Sequence, residues 1–424
     1  MTIMTVPPAA ANPSGNTNPG RYAGVDTHRD THHVAVVDEL GRTVADRQFV
    51  ATNTGYRQIV DFLHDHGPVL AVGVEGTGSY GAELARILAA AGVTVIEVMR
   101  ANRQHRRLKG KSDPLDAEQA ALTVAAGRAT VVPKQRDGLV ESLRILLAER
   151  TSATKARTAV LNQIHALLIT APGDVRTDFH RYHGQKLMDV LARTRPGPGD
   201  DPAQVARASL KRLAGRHRVL TEEITVLDDQ LAQIAARLNP ALLATHGVGP
   251  VVAATLLATV GDNPDRIATQ AQFAALCGVA PIPASSGRTH RHRLSRGGNR
   301  QANHALHRIV LIRMRFREPR TMAYFARRRA EGLADRDIIR CLKRHIANEV
   351  FALLTHPPAD PLPGPLLRRQ RQALGIRLTD AARTLEVPYQ RLRRLEPGTR
   401  TDPDLVHRCQ HWLEETDQQR LKTA

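Results

Sequence analysis

The sequence predicts an α/β domain followed by a longer, mainly helical region, and three patterns carry that prediction. Short β-like runs, Tyr22 to Asp26, His33 to Asp38 and Val44 to Val50, succeed one another around a Gly41 turn, as in an antiparallel meander. From Tyr56 to Val98 helix-like and strand-like stretches alternate, which is βαβ logic. From Leu139 onward apolar residues recur at helical spacing between turn-forming breaks.

Taken in order, residues 1–20 are rich in Pro, Ala, Asn and Gly and carry no charged side chain, so they read as a disordered tail. Residues 21–135 hold the meander, a helix from Tyr56 to His66, a strand from Val69 to Glu75, a helix from Gly81 to Ala91 and a strand from Val93 to Val98. A basic segment, Arg100 to Lys111, precedes a helix announced by Asp113-Pro114, because proline suits a helix's first turn. Residues 136–239 read as a helical coiled-coil or dimerisation region. Leu139 to Ile169 is helical, Val175 to Pro202 is a Gly, Pro and Asp-rich interruption, and Leu210, Leu213, His217, Leu220, Ile224, Leu227, Leu231, Ile234 and Leu238 form a 3-4 seam. That seam suits packing within one domain or self-association into a dimer or tetramer. Residues 240–355 form a compact basic domain, 356–365 a Pro-rich linker, and 366–424 a small helical module.

Lysine and arginine number 60 against 41 acids, giving +19, an excess that calls for a polyanion partner such as nucleic acid. Apolar runs fall short of the roughly 20 residues a membrane helix needs, so a soluble chain without membrane attachment is expected. Cys277, Cys341 and Cys409 lie far apart, which argues against a disulfide framework and suits the cytoplasm.

Four acids have the pattern of a metal site. Asp26 closes the first strand and Glu75 closes the strand expected beside it; Asp113 and Asp116 sit three apart at a helix start, on one face. Such oxygen ligands suit Mg²⁺ or Mn²⁺ in phosphoryl chemistry. Gly76, Gly78 and Ser79 follow Glu75 in a turn that a phosphate could approach closely. His28, His32 and His33 crowd beside Asp26, where surface or phosphate-contact roles are expected of them rather than metal ligation.

Further on, Leu242 to Val260 reads as helix, Gly247-Val248-Gly249-Pro250 turn, helix, which resembles a helix-hairpin-helix gripping phosphates through backbone N–H groups. A loop carrying Ser285-Ser286-Gly287 then meets Arg288, Arg291, Arg293, Arg296 and Arg300. A serine hydroxyl among cations suits attack on a phosphodiester. Nucleic-acid contact is expected at those arginines, at Gly247 and Gly249, and at Arg103, Arg106, Arg107, Lys109 and Lys111; a basic strip from Arg308 through Arg313 to Lys343 and Arg344 continues it.

Gly24 to His32, Val74 to Tyr80 and Lys111 to Ala117 resemble the DEDD transposases of the insertion-sequence one-ten family, and the Gly247 to Pro250 turn with Ala280 to Asn299 resembles that family's C-terminal transposase domain. The resemblance implies an RNase H-like (RuvC-like) N-terminal domain with Asp26, Glu75, Asp113 and Asp116 as catalytic metal ligands. It also implies Ser286 as nucleophile, with Ser285 the adjacent alternative, and recombination of donor and target DNA under a structured guide RNA. A metal-dependent nuclease without serine catalysis and a non-catalytic DNA-binding regulator are the competing readings. Beyond Leu354, where the family pattern stops, Leu378 to Ala382, Leu385, Val387-Pro388 and Leu392 to Leu395 resemble a repressor-type helix-turn-helix.

Overall fold

The computed structural model describes residues 20–99, 112–285, 287, 292–293, 295, 297–356, 363–396 and 402–423. Residues 1–19 of the expected tail and 357–362 of the expected linker lie outside them. The chain divides into two compact units, Met1–Asp137 with Gly261–Arg266, and Gly138–Val260 with Ile267–Ala424.

In the first unit β1 (Arg21–Thr27), β2 (Thr31–Val37) and β3 (Thr43–Val50) form the antiparallel meander. On the other side of β1 lies β4 (Val69–Glu75), parallel to it, and then β5 (Val95–Val98), giving the order β3-β2-β1-β4-β5. Helix α1 (Asn53–Asp65) starts earlier than its apolar pattern because Thr52 accepts a hydrogen bond from Gly55 N at 3.2 Å, an N-cap. With α2 (Ala82–Ala90) it covers one sheet face, where Val25, Val34, Val72 and Val74 pack against Ile59, Phe62, Leu84 and Leu88.

Helix α3 (Asp113–Ala125) covers the opposite face. Gly24 and Gly73 are register partners on that face. A Cβ built on Gly24 would lie 2.1 Å from the Ala117 carbonyl oxygen, and one on Gly73 would lie 2.8 Å from that of Ala120. The helix side opposite them is Ala117, Ala120 and Ala121, all buried. Glycine below and alanine above bring helix backbone almost onto sheet backbone.

Among the described residues the second unit is helical apart from one small hairpin. Helices α4 (Leu139–Thr170) and α7 (Pro202–Leu238) pack along their length. Leu143 shares one core with Leu231, and Ile164 shares another with Leu210, so the two run antiparallel. Arg150 and Asp228 form an ion pair, with Nη2 donating to Oδ2 at 3.2 Å. The seam along α7 is thus filled from within the chain; each buried Leu or Ile contributes about 1.5–3 kcal/mol.

The segment from Val175 to Pro202 is not the irregular interruption expected from its composition. It holds α5 (Gly173–Phe179) and α6 (Gly184–Arg193), which bury Val175, Phe179, Leu187, Met188 and Leu191 against α4 and α7. Apolar residues at helical spacing outweigh the flanking Gly and Pro once a long-helix groove is there to receive them.

Helices α8 (Pro240–Ala244), α9 (Pro250–Val260), α10 (Gln270–Leu276), α11 (Arg300–Arg315), α12 (Pro319–Ala330) and α13 (Asp335–Thr355) pack Leu256, Phe273, Leu306 and Ile346 into the same core that holds Leu143 and Leu231. Four further helices, α14 (Pro363–Ala373), α15 (Leu378–Thr384), α16 (Tyr389–Leu395) and α17 (Pro403–Thr423), surround a core of their own that includes Leu367, Leu385, Leu392 and Leu405. Arg371 and Glu396 are both buried in it and face each other, Nη2 donating to Oε2 at 2.8 Å. Among the described residues no helix is long and apolar enough to cross a membrane.

Candidate metal centre and serine hairpin

Strand alternation builds the carboxylate site. Asp26 and Glu75 each lie two residues beyond the glycines that face α3, so both side chains leave the sheet on the α3 side. They are neighbours one step past the Val25–Val74 register pair, and both are buried. Asp113 opens α3 and Asp116 follows one turn on, buried on the face turned to the sheet. The close seating of α3 on Gly24 and Gly73 is what brings a helix N-terminus to the strand ends.

Among the described residues, ligand atoms of Asp26, His28 and Asp113 all lie within 4.8 Å of one another. His28 Nε2 stands 3.2 Å from Asp26 Oδ2 and 3.2 Å from Asp113 Oδ1. One imidazole nitrogen between two carboxylates marks a point that attracts positive charge. Two carboxylate oxygens and a nitrogen at that spacing fit one divalent cation. Glu75 and Asp116, both buried, do not belong to this group.

The other two histidines depart from expectation, for neither is a surface group. His32 is fully buried and stacks on Tyr56 with ring centroids 5.5 Å apart; its Nδ1 lies 2.9 Å from the Thr31 carbonyl oxygen, which can only accept. Nδ1 therefore carries the hydrogen, and Nε2 is buried with no hydrogen-bond partner among the described residues. Burial, with His28 nearby, pushes the His32 pKa below its ordinary value. His33 is buried against Asp46, Nε2 to Oδ2 at 2.7 Å. His28 was visible in the sequence only as one of three crowded histidines; the signal separating it is that it lies beyond the strand end, two residues after Asp26.

The loop after Glu75 turns through Gly76 at φ +64°, which favours glycine, and Gly76, Gly78 and Ser79 are exposed. Arg103, Arg106, Arg107, Lys109 and Lys111 lie outside the described residues.

In the second unit α8 and α9 flank a turn in which Gly247 has φ +87° and Val248 is buried. A Cβ on Gly249 would meet nothing within 4 Å, so the backbone there is open to a ligand. Strands β6 (Ile282–Pro283) and β7 (His292–Arg293) pair antiparallel, and the chain between them carries both serines. Ser285 is exposed, as are Arg293 and Arg300, while Ser286, Arg288, Arg291 and Arg296 lie outside the described residues. The hairpin base is held where Gly278 and Gly298 approach too closely for any Cβ, 2.6 Å from backbone in each case. Arg313 departs from the expected basic strip. It is buried, its Nη1 and Nη2 donating to Glu349 at 2.8 and 2.7 Å and its Nε to the His246 carbonyl at 2.9 Å, so it braces the glycine turn.

Comparison with known proteins matches residues 23–171 to a family of transposases described as DEDD IS110 and residues 239–326 to the IS116/IS110/IS902 transposase family. The first match takes in all four acids and the second takes in the glycine turn and the serine hairpin; together they span just over half of the 424 residues. The chain is 26% identical over 389 residues to the insertion element IS110 uncharacterized 43.6 kDa protein of Streptomyces coelicolor, covering 79% of this chain and 94% of that one. It is 23% identical over 384 residues to the insertion element IS900 uncharacterized 42 kDa protein of Mycobacterium paratuberculosis, covering 78% and 95%. A protein of Pseudomonas aeruginosa named a probable family 20 transposase is 28% identical over 278 residues, covering 62% and 75%. With both domains of the family matched in order, and with the carboxylates and the hairpin falling inside them, the chain belongs to the IS110 family of DEDD transposases.

Proposed function

We propose that this insertion-sequence transposase exchanges DNA strands through a phosphoserine intermediate, using divalent cations held by Asp26, Glu75, Asp113 and Asp116 and a structured guide RNA that pairs with donor and target DNA. The observation that carries the reading is the convergence of buried Asp26 and half-exposed Asp113 on a single imidazole nitrogen, beside the ends of two parallel strands. Mg²⁺ or Mn²⁺ bound there supplies positive charge to oxygens that gain negative charge at phosphorus.

The chain's own groups divide the work. Asp26 and Asp113 would hold the cation, with His28 Nε2 between them as a third donor atom. The Ser286 hydroxyl attacks the DNA phosphorus and loses its proton, while the bond to the 3′ oxygen breaks and that oxygen leaves as a hydroxyl. Reversal by a 3′ hydroxyl of another strand frees the serine, so the bond count is conserved and no nucleotide hydrolysis is required. Arg293 and Arg300, both exposed near the hairpin, suit the phosphate charge, and the turn offers open backbone at Gly249 to a second stretch of nucleic acid. The terminal helices read as a duplex-binding helix-turn-helix: Tyr389, Gln390, Arg393 and Arg394 share the side of α16 opposite buried Leu392 and Leu395. The three free cysteines suit the reducing cytoplasm in which we place the reaction. Assembly into a dimer or tetramer remains part of the proposal, through surfaces other than the occupied α7 seam.

A suicide DNA substrate tests the chemistry. Covalent protein–DNA product should form in the wild type and in Ser285→Ala, and vanish in Ser286→Ala and in Asp26→Asn. Cleavage that survives Ser286→Ala without a covalent product would instead establish a nuclease that uses water. Sequencing of copurified RNA tests guidance: one abundant structured species is expected, and a pool matching bulk cellular RNA overturns it.

A further inference from the structure

A cleft of about 340 Å³ lies at the base of the serine hairpin, between the loop Gly278 to Pro281, β7 and the first turns of α13. Its lining is unequal in charge: Arg293, Arg340, Lys343 and Arg344 against one acid, Asp337, which is already paired with Arg340. Its other wall is apolar, made by Val279, Pro281 and the ring of Tyr324.

Lys343 is the centre of the arrangement. Its Nζ donates to Asn303 Oδ1 at 2.9 Å, and Asn303 Nδ2 in turn donates to the Cys277 and Gly278 carbonyls, both at 3.0 Å, where the hairpin begins. An ammonium has three donors, and this one spends a single donor on a neutral amide among the described residues. Burial and the neighbouring Arg340 lower its pKa, the mark of a cation short of negative charge. The Arg293 side chain makes no hydrogen bond or ion pair among the described residues, and Arg344 spends one nitrogen on the Gln270 carbonyl at 3.0 Å.

We propose that this cleft binds one nucleotide of the DNA strand that enters the serine hairpin, its phosphate on Lys343 and Arg293 and its base against Tyr324. Charge and apolar wall side by side are what a nucleotide presents, and a pocket of this size takes a single unit. Because Asn303 ties Lys343 to the hairpin base, occupancy of the cleft also fixes where the hairpin starts. The inference rests on the proposed serine reaction for the identity of the strand, but its binding test does not.

Two measurements on the full-length protein test it, with a short single-stranded DNA oligonucleotide as probe and RNA of the same sequence beside it. Acylation of the Lys343 amine, read by mass spectrometry, should slow about tenfold on adding DNA. Exposed Lys186 should react unchanged. Lys343→Gln should weaken DNA binding about tenfold and flatten the dependence of log affinity on log salt by about 0.7, the share of one phosphate on a single strand. Lys343→Arg should keep that slope. A purely structural Lys343 would leave the slope unchanged, and that result, absence of protection by DNA, or equal protection by RNA, overturns the proposal. Should Lys343→Gln unfold the hairpin, Arg293→Gln on exposed β7 carries the same slope test. Failure of the covalent-trapping experiment with these two results intact would remove the serine chemistry and leave the nucleotide cleft standing.

Discussion

Replacing Gly24 by alanine tests how the carboxylate site is assembled. The new Cβ would sit 2.1 Å from Ala117 O and 2.2 Å from Ala121 N, both backbone atoms of α3. Neither can rotate away as a side chain could, so α3 must retreat by about 1.3 Å to restore an ordinary contact near 3.4 Å. Overpacking of this kind costs about 1–3 kcal/mol. The same retreat carries Asp113 and Asp116 away from Asp26 and Glu75, and a displacement of about 1 Å at reacting groups costs roughly 100-fold in rate. Thermal melting with and without MgCl2, and strand cleavage at saturating MgCl2, measure the two effects. Gly24→Ala should melt several degrees lower, lose most of its stabilisation by Mg²⁺ and cleave about 100-fold slower. Gly215→Ala on α7, where an added Cβ meets nothing within 4 Å, is the control and should raise stability by about 0.5–1 kcal/mol. A Gly24→Ala protein with the wild-type melting temperature and Mg²⁺ response would refute the reasoning.

His32 ties stability to pH: its folded pKa lies below the unfolded value of about 6.5, so the unfolded chain binds the proton more readily and stability is lost as pH falls from about 6.5 toward the lower folded value. His32→Phe, which keeps a ring on Tyr56, should flatten that part of a urea-melting series; an unchanged slope would exclude His32 as the source. Arg371→Leu should cost about 3–5 kcal/mol by stranding buried Glu396, whereas the double change with Glu396→Leu should recover much of it, as circular dichroism melts of the two variants would reveal. Burial raises the Cys277 thiol to about 12 and the Cys409 thiol to about 11, so maleimide should label half-buried Cys341 first and reach the other two only on unfolding; prompt labelling of Cys277 in the native state would contradict its burial.

Much of the first unit was legible without coordinates because its signals are local. The alternation from Tyr22 to Val37, the Val69 to Glu75 run and the Asp113-Pro114 start correspond to β1, β2, β4 and α3 within a residue or two. Their period also put Asp26 and Glu75 at strand ends and Asp113 and Asp116 on one helical face. The two short helices between Gly173 and Arg193 were hidden, since so few apolar residues in each define no helix until α4 and α7 supply a groove. His28 was hidden among three histidines, for its partner Asp113 is 85 residues away.

By itself, then, the order of residues determined which side chains share a strand end or a helix face, because those relations depend on neighbours two to four positions apart. It also determined the surplus of cations that any partner must neutralise. Tertiary packing alone decided how closely α3 lies on Gly24 and Gly73, that the α7 seam is filled by α4, that Arg313 is consumed by Glu349, and that Lys343 reaches the foot of the serine hairpin. Each of those joins segments far apart in the chain, and their spacing is set by the volume and hydrogen-bonding needs of whatever the fold brings opposite, which no local period records.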